Sequence, residues 1–233
     1  MAVRLLQISD THLRSTPGEA GYPDPAERLD IVLRAVRGHG FVPDAVVLSG
    51  DIADDGTLGA VEAAAAAVAP LGPVVAVPGN HDDPGPVRTV FGDPWLDLGE
   101  VLLIGADTTI RGETAGTAAP LARVVAAAPD DRQVVVVGHH PVRSRSAHPW
   151  FVFADQGLVH AALAERPPLA LLSGHTHEPY AAPGPAGVPL LGAPSTFYGI
   201  AHDAMTWERA DGTTGALLIT IDAGEVRHEV LLA

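Results

Sequence analysis

Val3-Arg4-Leu5-Leu6-Gln7-Ile8-Ser9-Asp10-Thr11-His12 opens as a nearly continuous apolar run and closes on a carboxylate and an imidazole. Val3 to Ser9 reads as a buried strand, and the same grammar returns twice. Ala45 to Ser49 ends in Gly50-Asp51, and Val74 to Val77 runs into Pro78-Gly79-Asn80-His81-Asp82. Helical patterns lie between. Asp24 to Arg37 carries Leu29, Val32, Leu33 and Val36 at helical spacing, and Thr57 to Ala69 is rich in alanine. Strand, motif and helix in repetition predict a parallel sheet with right-handed crossovers. Open α/β sheets place their sites just beyond the carboxyl ends of the strands, which is where each motif falls.

Val101 to Gly105, Gln133 to Val137 and Leu169 to Ser173 read as further strands. The last two run into Gly138-His139-His140-Pro141 and Gly174-His175-Thr176-His177. A Gly/Thr-rich loop from Asp107 to Thr117 precedes a short helix near Leu121 to Ala128. The final third is strand-rich, with Pro189 to Ala193, Ala216 to Asp222 and Val226 to Leu232. The last two are predicted to form a hairpin about Ala223-Gly224-Glu225. There is no internal repeat and no linker, so residues 1–233 are expected to form one α/β domain.

With 233 residues, 47% of them hydrophobic, the chain can bury a substantial core. A net charge of −14 argues against nucleic-acid polymers and anionic membranes as partners. All 14 basic residues are Arg, which reads as coding bias rather than chemistry. The absence of cysteine excludes disulfides, thiolate metal ligands and a cysteine nucleophile. The apolar start is too short for a signal peptide, and no run is long enough to span a bilayer. A soluble cytoplasmic protein is the expectation.

The motifs supply carboxylate, imidazole and amide donors, the types that hold a pair of borderline metal ions. Asp10 and His12 lie two apart on an extended segment and can face one side. Asp51 stands alone, and a lone carboxylate is the natural bridge between ions ~3.5–4 Å apart. Asn80 offers a neutral oxygen, and His139, His175 and His177 complete the two shells. Only Asp10 and Asp51 among these are anionic, so a loaded pair keeps a net positive charge. Such a centre attracts a phosphoryl group and generates hydroxide near neutral pH. His81 adjoins Asn80 but should point the other way. An imidazole there, with an ordinary pKa of ~6.5, suits protonation of a leaving alkoxide, although a structural role is the alternative. Asp82 either orients His81 or, with Asp83, caps a following helix.

From Asp10 to His177 these motifs resemble the calcineurin-like metallophosphoesterase superfamily. Ile8-Ser9-Asp10-Thr11-His12-Leu13, Gly50-Asp51-Ile52-Ala53-Asp54 and Gly79-Asn80-His81-Asp82-Asp83 look like its class III cyclic nucleotide phosphodiesterase branch. The resemblance implies a four-layer α/β/β/α sandwich, two mixed sheets flanked by helices. It implies that Asp10, His12 and His177 hold one metal, that Asn80, His139 and His175 hold the other, and that Asp51 bridges. His81 would be the proton donor. Mn, Fe, Zn or a mixed Fe/Mn pair would fit. The implied reaction is hydrolysis of a phosphodiester, 3′,5′-cyclic nucleotides such as cyclic AMP first, by metal-bound hydroxide. A phosphomonoesterase, a 2′,3′-cyclic or glycerophosphodiester phosphodiesterase, and a non-catalytic scaffold are the alternatives. Family members of this shape often pair, which leaves a homodimer open.

Several residues near the motifs admit two readings. His140 touches substrate or merely packs. Trp150, Phe151 and Phe153 stack on a nucleobase, cover the site, or pack on the body. Phe197, Tyr198 and His202 follow the last motif and border the pocket or pack beside it. Arg14, Arg143 and Arg145 contact phosphate oxygens or sit in solvent. His39, His148, His160 and His228 match no motif.

Overall fold

The computed structural model describes residues 2–16, 23–203, 205–210 and 212–233. Its first half lays down β1 (Val3–Ile8), α1 (Pro25–His39), β2 (Ala45–Ser49), α2 (Leu58–Val68), β3 (Val74–Val77) and α3 (Pro84–Phe91). β1, β2 and β3 pair in parallel, with Leu5 opposite Ala45 and Val46 opposite Val74. Side-chain caps fix where the helices begin. Asp24 accepts from the Ala26 N–H, Thr57 from the Ala60 N–H and Asp83 from the Gly85 N–H, satisfying amides that helix starts leave without partners.

The second half adds β4 (Trp95–Asp97), β5 (Val101–Gly105), α4 (Ala119–Ala127), β6 (Gln133–Val137), α5 (Gln156–Glu165), β7 (Ala170–Ser173), β8 (Tyr180–Pro183) and β9 (Pro189–Gly192). They form a sheet in the order β4-β5-β6-β7-β9-β8, parallel inside with an antiparallel strand at each edge. A separate hairpin follows, β10 (Gly199–Asp203) with β11 (Thr206–Ala210). The chain then returns to the first sheet through β12 (Gly215–Asp222) and β13 (Glu225–Leu232), giving the order β13-β12-β1-β2-β3. β12 runs antiparallel to β1, so this sheet is mixed rather than wholly parallel. The expected terminal hairpin is β12–β13.

Strand alternation explains the layers. Leu6 and Ile8 of β1, with Val46 and Leu48 of β2, pack towards Leu29, Val32, Leu33 and Val36 of α1 and Val61 of α2. Leu5 and Val47 face the other way, into a core shared with Val135 and Val137 of β6 and Leu172 of β7. Val134 and Val136 of β6 meet Leu121 and Val125 of α4 and Val159 and Leu163 of α5. Three apolar zones between four layers make the α/β/β/α sandwich that the motifs implied. After β9 the chain crosses between the sheets, where Ser195 bridges Ser9 in parallel and the Thr196 N–H donates to the Ser9 carbonyl at 3.1 Å. The carboxyl ends of β1, β2, β3, β6 and β7 thus face one another across the crossing.

Candidate metal centre

Each motif turns sharply off its strand. Asp10, His12, Asp51, His175 and His177 take φ values of 52°, 47°, 48°, 69° and 52°. This left-handed region is uncommon for side-chain-bearing residues, and Asp and His tolerate it better than most. The first two motifs hold each other in this form. Asp10, His12 and Leu13 donate their N–H groups to the carbonyls of Gly50, Asp51 and Ile52 at 3.0, 2.9 and 2.9 Å. Glycine is needed where the loops touch. A Cβ on Gly79 would lie 2.2 Å from Asp51 Oδ1, and one on Gly174 would lie 2.0 Å from Ser9 Oγ.

The seven donors expected from the motifs come together as two sets. In the first, His12 Nε2 lies 3.1 Å from His177 Nε2, and His177 Nε2 lies 3.4 Å from Asp10 Oδ1. In the second, His139 Nε2 lies 3.2 Å from Asn80 Oδ1 and 3.2 Å from His175 Nδ1. Asp51 stands between them, with Oδ2 3.8 Å from His12 Nε2 and Oδ1 3.4 Å from His139 Nε2.

The outer nitrogens decide what these atoms can be. His12 Nδ1 faces Asp54, His177 Nδ1 donates to the Tyr198 carbonyl at 2.9 Å, and His139 Nδ1 donates to the Ser49 carbonyl at 2.8 Å. His175 Nε2 donates to the Trp150 carbonyl at 2.5 Å. A ring whose outer nitrogen donates in this way offers a metal the lone pair of its inner nitrogen, beside carboxylate oxygens. Acceptors converging without a side-chain donor fit a cation in each set, and these outer partners orient ligands in the way metal-binding histidines are commonly oriented. The electrostatics agree. Burial pulls His139 down, but Asp51 and Asp10 more than offset that and raise it to about 9. Burial opposes the charge on Asp51 too, yet His139 and His12 hold it well below the usual carboxylate range. A centre that draws a proton onto a fully buried imidazole also draws a metal cation. Burial, then His140 and His139, keep His175 well below its ordinary value, so it stays a neutral donor.

His81 lies outside both sets. Its Nδ1 is 3.0 Å from Asp54 Oδ1, the same oxygen that His12 Nδ1 meets at 2.9 Å, and Arg14 meets Asp54 Oδ2 at 2.6 Å. This hydrogen bond to Asp54 raises His81, and the same two imidazoles hold Asp54 far below its ordinary value. Nδ1 is committed to Asp54, which leaves Nε2 as the other ring nitrogen. Asp54 thus fixes the His81 ring, a contact that the motifs did not assign to it. Asp82 neither orients His81 nor caps a helix. It accepts from the N–H groups of Ile52, Ala53 and Gly79 at 3.0, 2.7 and 2.8 Å and ties the second motif to the third. Burial, with Asp51 nearby, pushes it up to about 7. Asp83 is the helix cap.

The ambiguous neighbours separate. His140 packs: Nδ1 meets Thr108 Oγ1 at 2.8 Å and Nε2 meets the Thr114 carbonyl at 3.0 Å, which leaves no nitrogen for a metal. Phe151 and Phe153 are buried, with ring centroids 5.4 Å from His175 and 5.9 Å from His140. Trp150 is exposed against Trp207. His202 Nε2 donates to the Thr176 carbonyl at 2.7 Å, and Tyr198 stacks on the first donor set. Arg143 and Arg145 line a groove of about 520 Å³ beside α5, with His160 in its wall. His39 meets Glu229 on the surface, and His148 caps a short turn.

Comparison with known proteins agrees with this geometry. The family model for calcineurin-like phosphoesterases matches residues 3–179, and the chain belongs to that family. It is a metal-dependent phosphoesterase. A protein of Escherichia coli named 3′,5′-cyclic adenosine monophosphate phosphodiesterase CpdA is 32% identical over 76% of this chain and 70% of its own length. A Mycobacterium tuberculosis protein named as a cAMP/cGMP dual specificity phosphodiesterase is 29% identical over 97% of this chain and 78% of its own. A protein of Enterobacter lignolyticus named glycerophosphodiester phosphodiesterase GpdQ is 30% identical over 74% and 70%. Among solved structures, a dimetal phosphatase from Danio rerio aligns over 99% of this chain and 98% of its own with a TM-score of 0.63. At 15% identity that likeness bears on the fold alone. No helix among the described residues is long and apolar enough to cross a membrane.

Proposed function

We propose that this chain, as one catalytic domain, hydrolyses small phosphodiesters, and that 3′,5′-cyclic nucleotides such as cyclic AMP are its preferred class. The observation that carries the reading is the pair of inward-facing acceptor sets joined by Asp51. Asp10, His12 and His177 would hold one cation, Asn80, His139 and His175 the other, and Asp51 both. Imidazole and carboxylate donors without thiolate suit Mn, Fe, Zn or a mixed Fe/Mn pair. When bound, the two cations supply Lewis acidity and an activated water.

The remaining roles belong to the chain's own residues. Two carboxylates leave the loaded centre positive enough to orient a phosphodiester anion in an acidic protein. His81, held through Nδ1 by Asp54, presents Nε2 to the leaving oxygen and gives it a proton as the P–O bond breaks. A ribose alkoxide needs that proton more than an activated phenolate does. Two relatives named for cyclic nucleotides support the substrate class. The relative named for glycerophosphodiesters keeps a second reading, in which the same centre opens an acyclic diester.

A panel on the metal-reconstituted protein tests this. It compares cyclic AMP, 2′,3′-cyclic AMP, a glycerophosphodiester, and nitrophenyl diesters and monoesters with Mn, Fe, Zn and Mg. A higher kcat/KM for 3′,5′-cyclic nucleotides is expected. A preference for glycerophosphodiesters selects the second reading, and silence with two metals bound rejects both.

A further inference from the structure

We propose that Tyr198 is a catalytic residue of this centre, its phenolic hydroxyl donating a hydrogen bond to a phosphoryl oxygen of the bound ester, with Arg209 stacked behind it as a positive wall. The proposal rests on reading the centre as a phosphoesterase site.

The backbone of Tyr198 is fastened to the first donor set from two sides. Ser195 Oγ donates to the Asp10 carbonyl at 2.8 Å and accepts from the N–H groups of Phe197 and Tyr198 at 3.0 and 3.3 Å. The Tyr198 carbonyl accepts from His177 Nδ1 at 2.9 Å. The ring is equally confined. Its centroid lies 4.4 Å from that of His177 and 5.8 Å from that of His12, stacked on the latter at 29°. The Arg209 guanidinium, carried by β11, lies 4.5 Å from the centroid. An aromatic ring packed against two site imidazoles and a cation has little rotamer freedom, so its hydroxyl is preorganised.

Packing alone does not call for that hydroxyl. The adjacent Phe197 is buried beside His12 and carries none. Stacked on His12 and against His177, the Tyr198 ring borders the first donor set, beside the oxygens of a phosphoryl group held at the Asp10 side. Their negative charge grows as the leaving group departs, so a fixed O–H donor stabilises the transition state more than the ground state. No proton changes hands in this contact.

Tyr198→Phe keeps the ring and its stacking. The holoenzyme would be assayed for metal content, for kcat on a nitrophenyl diester, and for binding of inorganic phosphate by calorimetry. We expect two metals per chain, kcat lower by roughly 10- to 100-fold and a phosphate Kd raised roughly threefold to tenfold. Arg209→Gln should raise the phosphate Kd by a smaller factor and flatten its dependence on salt. Unchanged kcat and phosphate affinity in Tyr198→Phe would overturn the contact. Loss of metal from that variant would also overturn it, because Tyr198 would then act only by positioning His177. If the wild type binds phosphate but cleaves no ester, the phosphoesterase reading falls on its own, and the phosphate affinities of the two proteins still decide the contact.

Discussion

Asp54→Asn isolates the residue on which the proton chemistry turns. One oxygen of Asp54 accepts from Nδ1 of His12 at 2.9 Å and Nδ1 of His81 at 3.0 Å, and the other pairs with Arg14 at 2.6 Å. An amide has the same shape but only one accepting oxygen. If that oxygen stays on the imidazoles, the NH₂ group faces the Arg14 guanidinium, donor against donor. If it turns to Arg14, the NH₂ faces two Nδ1 atoms and forces both rings into the other tautomer, with a proton aimed where His12 Nε2 should offer a lone pair. In either case the charge that raises His81 is lost. A hydrogen bond to a charged group contributes about 1.5–3 kcal/mol, or roughly 10- to 150-fold. Outer-partner substitutions at metal sites cost roughly 10- to 100-fold in affinity or activity. We therefore expect kcat on cyclic AMP to fall about 100-fold and metal affinity about tenfold. A nitrophenyl diester should lose less. The pH profile gives a separate sign. On the proposed mechanism His81 acts while protonated, so activity should decline as pH rises through its raised pKa, and without Asp54 that limb should move to lower pH. The assay is kcat against pH on both esters, with metal content measured alongside. An unmoved basic limb in a fully metal-loaded variant would refute the reasoning.

Four further outcomes are expected. Asp51→Ala removes the shared donor, and mass spectrometry of the purified protein should show both metals depleted; retention of two metals would contradict the bridge. His81→Ala should keep both metals while slowing cyclic AMP turnover by roughly 10²–10⁴-fold, with a milder loss on a nitrophenyl diester, and equal losses would argue against proton donation. Gly79→Ala places a methyl 2.2 Å from Asp51 Oδ1 and 2.3 Å from its backbone nitrogen, so metal binding should fail while far-ultraviolet circular dichroism stays native. Chelation of two ions, each at about a thousand times its Kd, should lower Tm by roughly 15–30 °C, and a Tm indifferent to chelator would mean that the folded chain gains nothing from the ions.

Much of this architecture was legible because its central strands carry local signals. β2, β3, β5 and β6 fall on the residues that their apolar runs mark, and each of the five motifs lies where a strand ends. The meeting of the seven side chains proposed as ligands followed from that placement, because strand ends at one rim of a sandwich can hardly avoid one another. What was missed has weak local signals. β4 is three residues long, and β8, β10 and β11 are half-exposed edge or hairpin strands without a buried run. α5 has its amphipathic pattern diluted by alanine and glycine. Asp54 stood inside a quoted motif, but its meeting with His12 and His81 depends on left-handed turns that spacing does not encode. The aromatic ring of Tyr198 was visible, yet its place against His12 depends on the crossing from β9 to the first sheet.

The same turns explain why this centre is so completely determined by contacts other than its own. Five of the seven donors sit at left-handed φ, each at a cost of roughly 1–3 kcal/mol. Against a net folding stability of about 5–15 kcal/mol, that is a large share concentrated at one rim. The strain persists because surrounding bonds leave no alternative. The 10–13 and 50–54 segments are zipped backbone to backbone, Asp82 gathers three amides beneath them, and Asp10 accepts the His175 N–H at 3.1 Å. These hydrogen bonds all come from the chain itself, so the backbone around the donors is fixed by protein contacts. The strain is thus the structural counterpart of the charge argument: the turns aim the donors, the burial sharpens their field, and cations held there would offset the repulsion among them.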